Sequence, residues 1–286
     1  MPTTSKLLHH PLTRLIVGLA LTLGIGLAAM YGTQQLLSST SLPQTDRDPI
    51  AGTVFAFLVC TIYILLYRRY EKRPITELST RHIARFLAGG ILLGGGLASA
   101  IVLTQYFTHV LTINATRSFL PLLPDLWNTF VNSTVAEVLI IGIFFRLTEE
   151  WLGSYLALLI LAVLFVALHI TAPGATIISA IAVSMHSALL LGPMYIYTRS
   201  LWPPIAIHFA WDFCYAGIFG TSINGYTMDN SLLNTTTNGS DLLTGGYFGP
   251  QGSIQAAILC LIFGLFFLQL SRKHNRIIQP SFQKPR

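Results

Sequence analysis

Residues 202–213 read WPPIAIHFAWDF and place a histidine and an aspartate four positions apart in an otherwise apolar stretch. Pro203 and Pro204 fit the first turn of a helix, where a missing amide N–H costs little. Residues four apart share one face of a helix, so His208 and Asp212 are predicted to point the same way. Ionisable groups are costly inside a bilayer and usually mark functional sites there. The stretch therefore predicts a membrane helix that carries a polar site.

The composition of the chain is that of a polytopic membrane protein. Of its 286 residues, 52% are hydrophobic and only 10% are charged, whereas a soluble domain carries about 25% charged residues. The net charge of +6 does not indicate nucleic-acid binding, because the basic residues lie in short loops between apolar runs. Cys60, Cys214 and Cys260 lie inside apolar runs and have neither metal-binding nor disulfide spacing.

Eight apolar runs are candidates for bilayer-spanning helices, which need roughly 20 residues. They are residues 15–37, 50–67, 86–111, 126–145, 151–169, 174–197, 205–220 and 253–270. The first run is longer than the core of a signal peptide, so it is predicted to be a retained helix. The chain is therefore predicted to be an all-α, polytopic transmembrane helix bundle with about eight spans.

The basic residues predict the orientation of the bundle. With the N-terminus inside, every Lys and Arg except Arg47 and Arg117 falls in a segment on the inner side. The positive-inside rule then predicts that both termini are cytoplasmic. The expected location is a bacterial inner (plasma) membrane, and the lipid bilayer is the expected surrounding partner. The chain is divided into N-terminal transmembrane helices (1–125), a functional core (126–272) and a basic cytoplasmic tail (273–286).

Four ionisable residues inside the predicted spans carry the functional hypothesis: Glu137, His169, His208 and Asp212. Carboxylates and imidazoles together can activate a water molecule, and they are also ligand types that zinc prefers. The alternative is that each group makes one hydrogen bond between helices. For His186, also in an apolar run, that structural role is the favoured interpretation.

The motifs around these residues resemble those of the CPBP intramembrane proteases, the group that includes type II CAAX prenyl-proteases and bacteriocin-processing proteins. Residues 165–169 read FVALH and match the family's Phe-x-x-x-His motif, and residues 208–212 read HFAWD and match its His-x-x-x-Asn/Asp motif. The segments YTRSLWPP at 197–204 and GGYFGPQGS at 245–253 are also similar to family segments. The resemblance extends over roughly residues 133–270.

The family's first motif, Glu-Glu-x-x-x-Arg followed by Gly, is altered in this chain. Alignment on Gly142 gives AEVLIIG at residues 136–142, so Ala136 replaces the first glutamate and Ile141 replaces the arginine. In the family, the first glutamate and the Phe-x-x-x-His histidine are expected to activate water. An alanine cannot accept a proton, and Glu137 lies one helical step of about 100° away.

The resemblance implies an intramembrane endopeptidase that cleaves membrane-associated peptides or prenylated-type substrates. In that hypothesis His169 activates water with Glu137, and His208 and Asp212 bind the carbonyl oxygen or a metal. His169 and His208 are the expected ligands if a divalent metal such as zinc is bound. A metal would need deprotonated, convergent ligands.

Two other functions remain open. The alterations in the first motif favour a pseudoprotease, a membrane binding or scaffold protein that has kept the cavity and lost the chemistry. A small transporter could use the same buried charges as a proton relay, although no inverted repeat is visible in the sequence.

Two local expectations bear on the site. Hydropathy puts His169 near the outer end of its helix and His208 near the inner start of its own, so either the fifth helix begins later than Trp151 or residues 199–204 dip into the membrane. The pair at residues 149–150 is predicted to be a solvated loop pair rather than part of the first motif.

Overall fold

The computed structural model describes residues 8–228 and 230–283, and within them the chain is predominantly helical. Eight helices follow the eight predicted runs. They are α1 (Pro11–Ser38), α2 (Gln44–Tyr70), α3 (Ile83–Phe107), α4 (Leu120–Leu152), α5 (Ser154–His169), α6 (Ile177–Thr198), α7 (Trp202–Asp212) and α8 (Ile254–Lys273). A one-turn helix, Asp241–Thr244, lies in the long loop before α8. The predicted all-α bundle is confirmed.

Six of the eight helices in the described part of the chain are long and apolar enough to cross a membrane. The other two are α5, with 16 residues, and α7, with 11 residues. At 1.5 Å per residue, α5 is roughly 24 Å long, shorter than a hydrocarbon core of about 30 Å. The prediction of eight spans thus corresponds to eight helices, of which six have the length of a span.

The basic segments that were predicted to lie on the inner side of the membrane meet on one face of the bundle. Arg14, near the start of α1, contacts Glu71 after α2 (2.9 Å) and Glu150 at the end of α4. Arg199, between α6 and α7, donates to the carbonyl of Arg276 beyond α8. Arg199 also contacts Glu149, so the five predicted inner segments, at the N-terminus, after α2, at the end of α4, before α7 and after α8, share this charged face. Its assignment to the cytoplasm stays a prediction.

The opposite face holds a small antiparallel sheet. Strand β1 (Leu111–Thr116), between α3 and α4, pairs with strand β2 (Leu233–Thr237), between α7 and α8. The register shifts between Ile113 and Ala115, which marks a β-bulge. The sheet joins two loops that were both predicted to be external.

Two glycines let α3 pack closely on α7. A Cβ atom at Gly94 would lie 2.3 Å from the carbonyl oxygen of Ile207, and one at Gly90 would lie 2.5 Å from the Cβ of Ala206. Small residues permit such close approach between membrane helices. This contact fixes α7, which carries His208. The predicted division of the chain at residues 125 and 272 stays a prediction.

Candidate active site

Three π-helical stretches interrupt the helices that carry the buried polar residues. One begins at His186, and the other two begin directly after Glu137 and Asp212. A π-helical turn holds an extra residue and often occurs at functional sites, because it redirects the side chains beside it. The stretches are Val138–Phe145, His186–Leu191 and Phe213–Ile218.

His208 lies between two carboxylates. Its Nδ1 is 2.7 Å from Oε1 of Glu137, and its Nε2 is 3.3 Å from Oδ2 of Asp212. An ionised carboxylate only accepts hydrogen bonds, so a doubly protonated imidazolium can donate to both groups, whereas a neutral ring donates to one. Three of the four predicted site residues are therefore in direct contact. The Glu137 contact joins α4 to α7, and the Asp212 contact lies within α7.

The site is closed at one end and open at the other. The side chain of Glu137 is only 2% exposed, whereas those of His208 and Asp212 are 22% and 24% exposed. The second carboxylate oxygen of Glu137, Oε2, is buried and has no hydrogen-bond partner among the described residues. Buried polar atoms are nearly always paired, so this oxygen is suited to receive a hydrogen bond from a bound molecule.

His169 ends α5 and is held by its own helix. Its Nδ1 is 2.9 Å from the carbonyl oxygen of Phe165, and its ring stacks on the Phe165 ring at 5.4 Å between centroids. A carbonyl oxygen only accepts, so Nδ1 carries the proton and Nε2 of the neutral ring has a free lone pair. The Phe-x-x-x-His spacing thus supplies a ring on which His169 stacks and a carbonyl oxygen that keeps the proton on Nδ1 of His169.

Unlike Glu137, His208 and Asp212, which contact one another, His169 makes its hydrogen bond to Phe165 in its own helix. It lies within electrostatic reach of His208 and Asp212. The fifth helix begins at Ser154, three residues later than Trp151, as the first of the two expectations for this helix required. A shared cavity for all four residues stays a prediction.

His186 is a neighbour that sequence reasoning gave a structural role. Its ring stacks on Trp211 at 4.6 Å and lies 5.9 Å from the ring of His208. Its Nε2 is buried without a hydrogen-bond partner among the described residues. The predicted hydrogen bond between helices is therefore not made by this nitrogen. The sequence showed only that His186 is an ionisable residue inside an apolar run, and this does not distinguish a structural role from a functional one.

The three altered or shifted positions of the first motif lie in different surroundings. Glu137, the second acidic position of the motif, contacts His208, while Ala136 is half-buried and Ile141 is completely buried. The arginine present on this helix, Arg146, is used elsewhere, since it donates two 3.0 Å hydrogen bonds to Glu71 on the charged face. The position of the missing arginine is thus filled by an apolar core residue.

The predicted zinc site finds no support in this geometry. Among the described residues, no group of three or more His, Cys, Asp and Glu side chains is arranged to hold a metal ion. Both ring nitrogens of His208 face carboxylates, and Nδ1 of His169 faces a carbonyl oxygen. Bound zinc therefore stays a prediction, and no step of the reaction is assigned to a metal.

The interpretation of Glu149 as a solvated residue is wrong. Its carboxylate is completely buried, with Arg199 Nη1 at 2.6 Å from Oε2 and Arg199 Nη2 at 3.1 Å from Oε1. The Ser154 hydroxyl donates to the same carboxylate at 2.6 Å. Glu150 remains partly solvated, with 47% of its side chain exposed, and pairs with Arg14.

The C-terminal tail explains this burial. Ser154 exchanges two hydrogen bonds with Ile278, one through its amide (3.0 Å) and one through its hydroxyl (2.9 Å), and Arg199 donates to the carbonyl of Arg276. We call Glu149, Ser154, Arg199 and residues 276–278 the tail clasp. It joins the end of α4, the start of α5 and the loop before α7. The predicted site residues lie on these three helices.

The charged face holds two further buried carboxylates outside the spans. Burial alone would raise the pKa of Glu71, but Arg146 and Arg73 outweigh it and hold that pKa below its usual range. Burial also opposes ionisation of Glu77, whose pKa is nevertheless lowered by hydrogen bonds from Arg73 and Tyr63. Both carboxylates are therefore ionised partners in the folded protein near neutral pH.

Comparison with known protein families finds a match in this region. Residues 118–214 match the family described as Type II CAAX prenyl endopeptidase Rce1-like, a stretch that contains all four predicted site residues. The match confirms the resemblance to the CPBP intramembrane proteases. No curated protein and no solved structure matches the chain.

Proposed function

Because residues 118–214 form an Rce1-like domain in an integral membrane protein, we propose that the chain is an intramembrane endopeptidase acting on membrane-associated, prenylated-type peptides. The observation that carries the proposal is the Glu137–His208–Asp212 chain of contacts. These groups can supply a base, a proton donor and an orienting carboxylate in one water-poor place.

In the proposed reaction His169 is the general base. Its Nε2 lone pair accepts a proton from water as the water oxygen bonds to the substrate carbonyl carbon. The carbonyl oxygen becomes an oxyanion and takes a hydrogen bond from Nε2 of His208. Collapse of the tetrahedral intermediate breaks the C–N bond, and His169 returns its proton to the leaving amine. Protons and electron pairs balance without a metal.

The two contacts of His208 suit this division of roles. The contact to Asp212 is the longer one, at 3.3 Å, and both groups are partly exposed, so a substrate oxygen can compete for Nε2. The contact to Glu137 is short and buried, so this carboxylate orients His208 and stabilises its positive charge. Glu137 is then a positioning residue rather than the water activator expected from the family motif.

An apolar groove beside the site supports a lipid-modified substrate. A cavity of 760 Å³ lies between α5, α6 and α8, with Val166, Met185 and Leu268 in its wall. Val166 precedes His169 by three residues, and Met185 directly precedes His186. An isoprenoid chain in this groove would place its attached peptide near the polar cluster, and burial of such a chain is favourable at about 25 cal/mol per Å².

The test is cleavage of a quenched fluorescent peptide, with and without a farnesyl group, by the purified chain in nanodiscs. His169→Ala and His208→Ala are expected to lower kcat/KM by roughly 10²–10⁴-fold, the usual contribution of general acid–base catalysis. His82→Ala is the matched control, because His82 is exposed at the start of α3. Equal activity in all three variants would refute the proposed site, and sensitivity to chelators would refute a metal-free reaction.

The second candidate is the pseudoprotease, which is favoured by Ala136 and by the buried Ile141. It predicts that the farnesylated peptide binds without being cut. Saturable binding by the parent protein, unchanged peptide after prolonged incubation and unaltered binding in His169→Ala would together establish that function.

A further inference from the structure

The end of α2 carries a group of basic residues that the ion pairs of the charged face do not use. Arg68, Arg69, Lys72 and Arg73 line a pocket of 680 Å³. Arg73 is engaged by two buried carboxylates. Arg68, Arg69 and Lys72 are exposed and make no ion pair with any described residue. Three cations thus remain available at the point where the helix leaves its apolar stretch.

An apolar groove adjoins this pocket. It has a volume of 630 Å³ and runs between α1 and α2, with Val17 on one wall and Ile62 and Leu65 on the other. Arg69 lines both the groove and the basic pocket. From Ile62 to Arg69 the groove follows about 10 Å of helix. Tyr70 and Leu8 also line the groove, and the Tyr70 hydroxyl donates a hydrogen bond to the Leu8 carbonyl.

We propose that these two pockets form one binding site for an anionic phospholipid. The headgroup phosphate lies among Arg68, Arg69 and Lys72, and an acyl chain lies along the groove between α1 and α2. Guanidinium groups suit phosphate oxygens, and basic pockets at the end of a membrane helix attract anionic headgroups. A soluble phosphate compound would use only the basic half of the site. The proposal is independent of catalysis, since the site lies on α1 and α2.

The test is native mass spectrometry of the full chain after reconstitution with equal amounts of phosphatidylglycerol and phosphatidylcholine. The parent protein is expected to retain phosphatidylglycerol preferentially. Each basic residue near a membrane contributes roughly fivefold to the affinity for anionic lipid, so Arg68→Gln/Arg69→Gln should lower that preference roughly 30-fold. The matched control is Arg81→Gln/Arg85→Gln, which removes the same charge from exposed positions on the same side.

Two further arms separate the sources of binding. Leu65→Trp fills the groove without changing the charge, and it should also reduce retention of phosphatidylglycerol. Glycerol 3-phosphate, a soluble competitor, should displace little lipid. Equal retention of the two lipids by the parent, an equal loss in the control variant, or full displacement by glycerol 3-phosphate would each overturn the proposal. Size-exclusion profiles matching the parent's confirm that the variants are folded.

Discussion

Oε1 of Glu137 lies 2.7 Å from Nδ1 of His208, a contact that joins residues 71 positions apart at the centre of the bundle. The carboxylate is almost completely buried, and its other oxygen is unpaired within the described chain. The acidic position that the first motif has kept therefore lies beside the histidine of α7, whereas Ala136 and Ile141 leave the rest of the motif altered.

Glu137→Gln should preserve the fold and impair the proposed reaction. The amide oxygen can still accept from Nδ1 of His208, but it no longer stabilises the positive ring that holds the oxyanion. We expect kcat to fall roughly 10²–10⁴-fold with little change in KM, as for loss of an orienting carboxylate. Steady-state kinetics with the farnesylated peptide measure this. Unchanged kcat would exclude the positioning role.

Ala136→Glu should not restore a family-like site by itself. The position is half-buried, and Ile141, where the family has an arginine, is a completely buried apolar residue. The new carboxylate would lack a counter-charge, and burial of an unpaired charge is strongly destabilising. The expected result is a lower thermal midpoint and no gain in cleavage. A variant that is more active and equally stable would show that water, rather than an arginine, stabilises the new carboxylate.

The tail clasp gives a prediction about stability. Glu149→Gln or Arg199→Gln alone leaves the other charge uncompensated, and breaking a buried pair typically costs about 3–5 kcal/mol. Arg199→Gln leaves the buried Glu149 carboxylate unpaired and belongs at the high end of that range, whereas Glu149→Gln leaves a partly exposed arginine and belongs at the low end. The double variant should lose less than the sum of the single losses.

Thermal unfolding in detergent measures this cycle, and the neighbouring residue supplies its control. Glu150→Gln alters a half-exposed surface pair, which contributes about 0–1 kcal/mol. Equal effects at residues 149 and 150 would contradict the burial difference between the two glutamates.

Acid should destabilise the charged face. The pKa values of Glu71 and Glu77 are lowered in the folded protein, so both bind protons more readily when unfolded. Their stabilisation is therefore fully present above the unfolded value of about 4.5 and is lost as pH falls through the lower folded values. The thermal midpoint should drop between pH 5 and pH 3, and Glu71→Gln should flatten that decline. An unchanged slope in this variant would argue against the linkage.

The sequence was sufficient to predict the helices and the grouping of their ends. Apolar runs predicted eight helices, because backbone groups in a bilayer must be paired within each segment. The charge pattern grouped Arg14, Arg199 and Arg276 on one face, where the structure also finds them. Both four-residue spacings hold, since Phe165 contacts His169 and His208 contacts Asp212 within single helices.

Other features depend on contacts between distant segments, which local patterns do not encode. The partners of Glu149, Ser154 and Arg199, bond to residues 276–278, more than 120 positions after Glu149 in the chain. The Glu137–His208 contact requires α4 and α7 to meet, and the π-helical stretches beside them have no simple sequence signature. The two-stranded sheet also joins segments from separate loops, and its strands were not predicted.

The tail clasp has a consequence for the order in which contacts can form during synthesis of the protein. Residues 276–278 complete the bonding of Ser154 and Arg199, yet they are synthesised more than 70 positions after Arg199. A nascent chain that ends at α8 contains Glu149, Ser154 and Arg199 but lacks the backbone groups of residues 276–278 that bond to Ser154 and Arg199. We therefore expect the contacts of the tail clasp to form last, after the rest of the bundle has been synthesised.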